Sequence, residues 1–119
     1  MRRARPSAPV LPWQLVRVSG PSMIPTLRHG DRVVVRHGAP IRPGDVVLAT
    51  FRSLPGRLVV KRAVRREDGG WWVRSDNRFA GGDSAAHGVA DVLARVGWVV
   101  GPGRPRRVRR GIEGDGTAG

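Results

Sequence analysis

Glycine, proline and aspartate cut this chain into short apolar runs, and that punctuation limits its fold more than any other feature. The runs are Leu15 to Ser19, Arg32 to Arg36, Asp45 to Phe51, Leu58 to Arg66, Trp71 to Arg74 and Val89 to Val100. In Arg32 to Arg36 valine alternates with charge, the period-two pattern of a half-buried strand. Between the runs lie Leu27-Arg28-His29-Gly30-Asp31, Pro43-Gly44, Ser53-Leu54-Pro55-Gly56 and the Asp-Gly hairpin signal Glu67-Asp68-Gly69-Gly70, all turn chemistry. Helix signals are few, with one helical turn expected at Ala90 to Leu93. Six or seven short strands with regular turns predict a small all-β domain with a coiled, barrel-like sheet. The 119 residues suffice for one domain. It is expected over 13–100, between a basic N-terminus at 1–12 and an Arg/Gly-rich tail at 101–119, both expected to be disordered. Adjacent Trp71 and Trp72 point to opposite faces of their strand, so one is expected in the core and the other partly exposed.

Two residues stand out chemically. Ser22 lies on the bend Ser19-Gly20-Pro21-Ser22-Met23-Ile24-Pro25-Thr26-Leu27, between two strand runs. A serine hydroxyl is a weak nucleophile until a base removes its proton. Lys61 is the one lysine in a chain whose other 21 basic residues are arginine. Arginine keeps its proton in proteins, whereas a buried lysine loses its own readily. Alternation puts Val59, Lys61 and Ala63 on one strand face. An apolar setting there lowers the lysine pKa and makes the amine a general base. His29 and His37 sit in polar loop-like sequence and are read as solvated, and their spacing supports no metal site. With no cysteine, disulfide and thiolate chemistry are excluded. No cofactor is expected.

Four boxes in order resemble the signal peptidase I family of serine–lysine proteases. Gly20-x-Ser22-Met23-x-Pro25-Thr26-Leu27 resembles the nucleophile box, and Arg42-Pro43-Gly44-Asp45-Val46-Val47 the next strand box. Val60-Lys61-Arg62 resembles the lysine box, and Ser75-Asp76-Asn77 with Gly82-Asp83-Ser84 and Gly88-Val89 the last. The short length and the reading Gly-Gly-Trp-Trp-Val resemble one branch, the nickel-type superoxide dismutase maturation proteases.

The resemblance implies a coiled β-sheet with Ser22 as nucleophile, Lys61 as base and the Ser22 N–H as oxyanion donor. It also implies that the strand before the serine binds the substrate backbone and that Met23 lines the substrate pocket. Gly20 stands where some members have a serine whose hydroxyl assists the oxyanion site. Ser75 replaces the usual glycine before Asp-Asn. Gly81 stands where some members place a serine that orients the lysine, so a backbone carbonyl or Ser84 is expected to orient Lys61. Asp76 or Asp83 is expected to pair with Arg62 and pin the lysine strand.

The net charge is +13, of which the tails carry +6 and the middle +7. Composition bias explains part of it, and an acidic substrate protein or polyanion steered by the field is the sharper reading. Nothing in the sequence approaches the ~20 apolar residues that span a bilayer, so a soluble, cytoplasmic processing enzyme is expected rather than one at the secretion channel. The expected function is removal of an N-terminal propeptide from a precursor protein, that of nickel superoxide dismutase. Two other readings remain. One is self-cleavage like that of the SOS repressors, which share fold and dyad; it is disfavoured because about twenty residues precede Ser22 and include no Ala-Gly or Cys-Gly pair. The other is a non-catalytic nucleic-acid-binding module, disfavoured by the spread of arginine and the sparse aromatic interleaving.

Overall fold

The structure is a computed structural model and describes residues 12–101 and 103–111. The expected disordered segments at 1–11 and 112–119 lie outside the described residues. Seven strands and one short helix follow in order: β1 Trp13–Arg17, β2 Arg32–His37, β3 Val46–Phe51, β4 Leu58–Glu67, β5 Gly70–Arg74, α1 Ser84–His87, β6 Ala90–Gly101 and β7 Arg106–Arg107. All pairings are antiparallel, in the order β1-β2-β6-β3-β4-β5, with β7 on β6. β5 returns to β6 through Trp71 opposite Ala90. Strands β6, β3, β4 and β5 therefore close on themselves, the barrel-like curl that removes sheet edges.

The 12-residue β6 holds the sheet together. Ala90 to Arg95 pairs with β3, and Ala94 to Gly101 with β2. Register shifts in both ladders bend the strand so that it serves two apolar clusters. One gathers Val18, Met23, Leu27, Val33, Val35 and Val96, the other Val47, Phe51, Ala63, Trp71 and Val73. Trp71 is in the core and Trp72 half-buried. The helical turn lies at Ser84–His87 and not at 90–93. Asp83 caps it, its side chain accepting from the Ala85 N–H, while Ala90 begins β6.

The segment 103–111 corrects the tail boundary expected at residue 101, because its residues are held against the sheet. Two turns of the same Arg-x-Gly-Asp pattern contribute to this. Arg28-His29-Gly30-Asp31 and Arg42-Pro43-Gly44-Asp45 each place a glycine at positive φ, +92° and +95°. In each, the aspartate side chain accepts from the arginine N–H three residues earlier, at 2.8 Å. Arg106 reaches Asp31 at 3.7 Å and Arg110 reaches Asp45 at 2.8 Å. Gly111 N–H donates to the Gly44 carbonyl at 2.9 Å, and Val108 packs on the first cluster. The pairing of β7 with Trp98 and Val99 of β6 and two distant, buried carboxylates together hold this Arg/Gly/Pro sequence. Among the described residues no helix is long and apolar enough to cross a membrane.

Candidate active site

Ser22 sits in the turn after β1, and buried side chains on either side of it fix that turn. Met23 and Leu27 are 1% and 0% exposed in the first cluster, and Leu27 N–H donates to the Met23 carbonyl at 2.9 Å. Ser22 itself is half-buried. Gly20 takes φ +86°, a left-handed value that favours glycine, and its N–H donates to Nδ1 of His29 at 2.9 Å. His29, read from sequence as merely solvated, thus ties the residue two before Ser22. Asn77 grips the turn from the other side. Its N–H donates to the Ser22 carbonyl at 2.9 Å and its Nδ2 to the Pro21 carbonyl at 3.1 Å.

Lys61 lies in β4 opposite Val47 and is 5% exposed. Its Nζ donates to Ser75 Oγ at 3.0 Å. The Ser75 hydroxyl spends its own proton on the Gly81 carbonyl at 2.9 Å. A carbonyl only accepts, so the direction of this chain is fixed and Ser75 faces the amine as an acceptor. A neutral amine that donates there keeps its lone pair for another partner. Burial pushes the Lys61 pKa down, the Asp83 carboxylate opposes that, and the cationic Arg57 adds to it.

Ser75 was read from sequence only as a departure at a glycine position, so its contact with the lysine went unrecognised. Ser84, offered for that task, is elsewhere: its Oγ accepts from Val73 N–H at 2.8 Å. Asp83 accepts from Ser75 N–H at 3.1 Å as well as capping α1, so it holds the lysine's partner and does not pair with Arg62.

Asp76 pairs with Arg62, with Nε to Oδ1 at 3.0 Å and Nη2 to Oδ2 at 2.6 Å. Thr26 Oγ1 donates to the same carboxylate at 2.5 Å. Arg62 Nη1 also donates to the carbonyls of Gly44 and Arg109, at 2.8 and 3.0 Å. The guanidinium thus ties β4, the turn that carries Ser22, the Gly44 turn and the C-terminal segment into one network.

Ser22 and Lys61 line one cleft of about 730 Å³. Its walls run from Val16 to Met23 and from Arg57 to Lys61, with Phe51 and Leu54 between them and Phe79 at the loop side. Gly20 and Met23 both line it. Among the described residues no group of three or more potential ligands could hold a metal ion. A half-buried hydroxyl and a desolvated amine in one apolar cleft can carry out nucleophilic acyl chemistry.

No curated protein matches the sequence. Residues 12–100, most of the chain and all of β1 through the body of β6, match the Peptidase S24-like family. A small closed sheet and a cleft holding a serine and a buried lysine accompany that match, and the protein belongs to the Peptidase S24-like family.

Proposed function

We propose that the protein is a serine–lysine endopeptidase that removes an N-terminal propeptide from a precursor protein. One observation carries this reading: the buried Lys61 amine donates to a hydroxyl whose own proton is committed to a carbonyl. That leaves, in the cleft that Ser22 lines, an amine whose pKa burial lowers and whose neutral form keeps its lone pair for another partner. Ser22 Oγ attacks the scissile carbonyl while Lys61 takes its proton. The Ser22 N–H donates to the oxyanion, since Pro21 has no N–H and the Gly20 N–H is engaged by His29. The lysine returns the proton to the leaving amine, and water, activated by the same amine, hydrolyses the acyl-enzyme.

Strand geometry supports a polypeptide substrate. Among the described residues the outer edge of β1 is unpaired, and Leu58 to Lys61 of β4 pair with β3 alone because the β5 ladder starts at Arg62. Unpaired backbone groups on two cleft walls suit an extended chain. The precursor of a nickel-type superoxide dismutase is the substrate favoured by the Gly-Gly-Trp-Trp-Val resemblance.

The test is intact-mass analysis of that precursor with wild type, Ser22→Ala and Lys61→Ala. A single N-terminal cut made only by wild type supports dyad and substrate together. Cutting by either variant removes the dyad. The family match favours a second reading, self-cleavage, and β1 leads directly from the N-terminal segment into the cleft wall. Pure wild type that shortens at its N-terminus, while Ser22→Ala does not, would select it.

A further inference from the structure

The cleft has a charge pattern that the dyad does not use. Its lining contains the cations Arg17, Arg57 and Lys61 and no carboxylate. Arg17 ends β1 on one wall, and Arg57 closes the β3–β4 turn on the other. Both are exposed. Many other arginines are occupied. Arg52, Arg62, Arg106 and Arg110 pair with aspartates, and Arg36, Arg65, Arg66 and Arg107 lie over tryptophan rings. Among the described residues, Arg17 and Arg57 have neither a carboxylate nor a ring. The same lining includes the apolar Met23, Phe51, Leu54 and Leu58.

From this arrangement we propose that the substrate is an extended segment with an apolar centre and acidic flanks, and that Arg17 and Arg57 are its specificity-determining residues. The inference rests on the peptidase reading and names the substrate class for that site. Two guanidiniums on opposite walls select by both signs. Each attracts a substrate carboxylate within its reach and repels a lysine or arginine there. The lysine base gains from the same rule. A cationic substrate side chain held beside Lys61 has no carboxylate on the cleft lining to meet it, whereas an acidic one is held at the rim by guanidinium forks.

The general field of a strongly basic protein also favours acidic peptides, so the experiment must separate a local effect from that field. Ser22→Ala of the full chain serves as a trap that binds without cutting. Fluorescein-labelled peptides with one Val/Ala centre and Glu, Gln or Lys flanks are titrated against it by anisotropy at about 0.15 M salt, where charges more than about 8 Å apart are largely screened. The Glu-flanked peptide is expected to bind about tenfold tighter than the Lys-flanked one, the combined swing of attraction and repulsion at two exposed sites.

Added Arg17→Glu and Arg57→Glu reverse that order. Arg42→Glu with Arg104→Glu makes the same change in net charge at exposed arginines outside the cleft lining and leaves the order intact. Equal binding of the three peptides overturns the inference, as does no binding by any of them, or reversal by the Arg42/Arg104 pair. The dyad assay separates this from the peptidase reading. Cleavage that depends on Ser22 and Lys61 but ignores flanking charge removes only the acidic-flank proposal.

Discussion

Lys61 and Arg62 are adjacent cations on β4, 5% and 7% exposed, and the two sides of the strand treat them in opposite ways. On the Arg62 side, a carboxylate takes two of the guanidinium's hydrogen bonds and backbone carbonyls take two more. Every donor direction meets an acceptor, and charge meets charge. On the Lys61 side the amine meets one hydroxyl, and Asp83, the carboxylate that acts on it through space, is engaged with Ser75 N–H. Burial with a full set of partners fixes a charge in place. Burial with one neutral partner makes the charge costly and the neutral form reactive. The same strand thus holds a fully partnered charge at Arg62 and a sparsely partnered one at Lys61.

The largest expected effect comes from making the two sides alike. Lys61→Arg keeps a long basic side chain but supplies a group that stays protonated. It should lower kcat/KM by about a thousandfold or more while the protein still melts cooperatively. Activity at wild-type level would show that no neutral amine is needed. For wild type, kcat/KM should rise with pH through the folded-state pKa of Lys61, which burial holds below the ~10.4 of free lysine. Between those two pKa values the unfolded chain binds a proton that the folded chain lacks, so stability should also rise with pH there. Lys61→Met should remove that rise. A rate flat from about pH 5 to 9 would be incompatible with the lysine base.

Breaking the other side should act on stability first. Arg62→Ala leaves Asp76 with a side chain 11% exposed and no cation. The cost is about 3–5 kcal/mol, or a fall of well over 10 °C in Tm for a domain of this size. Asp76→Ala should behave similarly and lower activity with stability, because Thr26 of the turn that carries Ser22 shares the carboxylate. Lost activity at unchanged Tm would mean that the pair takes part in the chemistry. The double change should cost less than the sum of the two, since each single change orphans the other partner.

Ser75→Ala tests how the lysine is aimed. The amine keeps its burial but loses its one hydroxyl acceptor, and the Gly81 carbonyl loses its donor. We expect kcat to fall about tenfold with KM little changed, and stability to fall by about 1 kcal/mol. A change in KM alone would place Ser75 in substrate binding.

What was legible in the sequence follows from range. The strand runs are local patterns of valine between turn residues. Ser22 and Lys61 could be singled out because one sits on a rigid bend and the other is a lone lysine among arginines. Ser75 was not legible as the lysine's partner, because it reaches β4 only after the hairpin closes. The ladder shift between Ala63 and Arg65 further disguises the register. Segment 103–111 has the composition of a disordered tail, and two of the groups that hold it, Asp31 and Asp45, lie more than sixty positions away from their partners Arg106 and Arg110. The cap at Asp83 was available as an aspartate before Ser-Ala-Ala, and the longer strand pattern beyond it drew the helical turn to the wrong place.

The smallest effect should come from His29, the link that a solvated reading leaves out. Its Nδ1 accepts from the Gly20 N–H, so the bend before the nucleophile has a side-chain acceptor at an exposed position. His29→Ala gives that N–H to water, which replaces most of the bond energy but not its direction. The expected result is a several-fold fall in kcat with an unchanged Tm, because Met23 and Leu27 still anchor the turn. Asparagine carries an acceptor at the same reach from the backbone as Nδ1, so His29→Asn should recover most of the rate. If alanine and asparagine are equally impaired, the imidazole ring acts by some contact other than this bond. If neither is impaired, buried Met23 and Leu27, with Asn77, are enough to hold Ser22 in place.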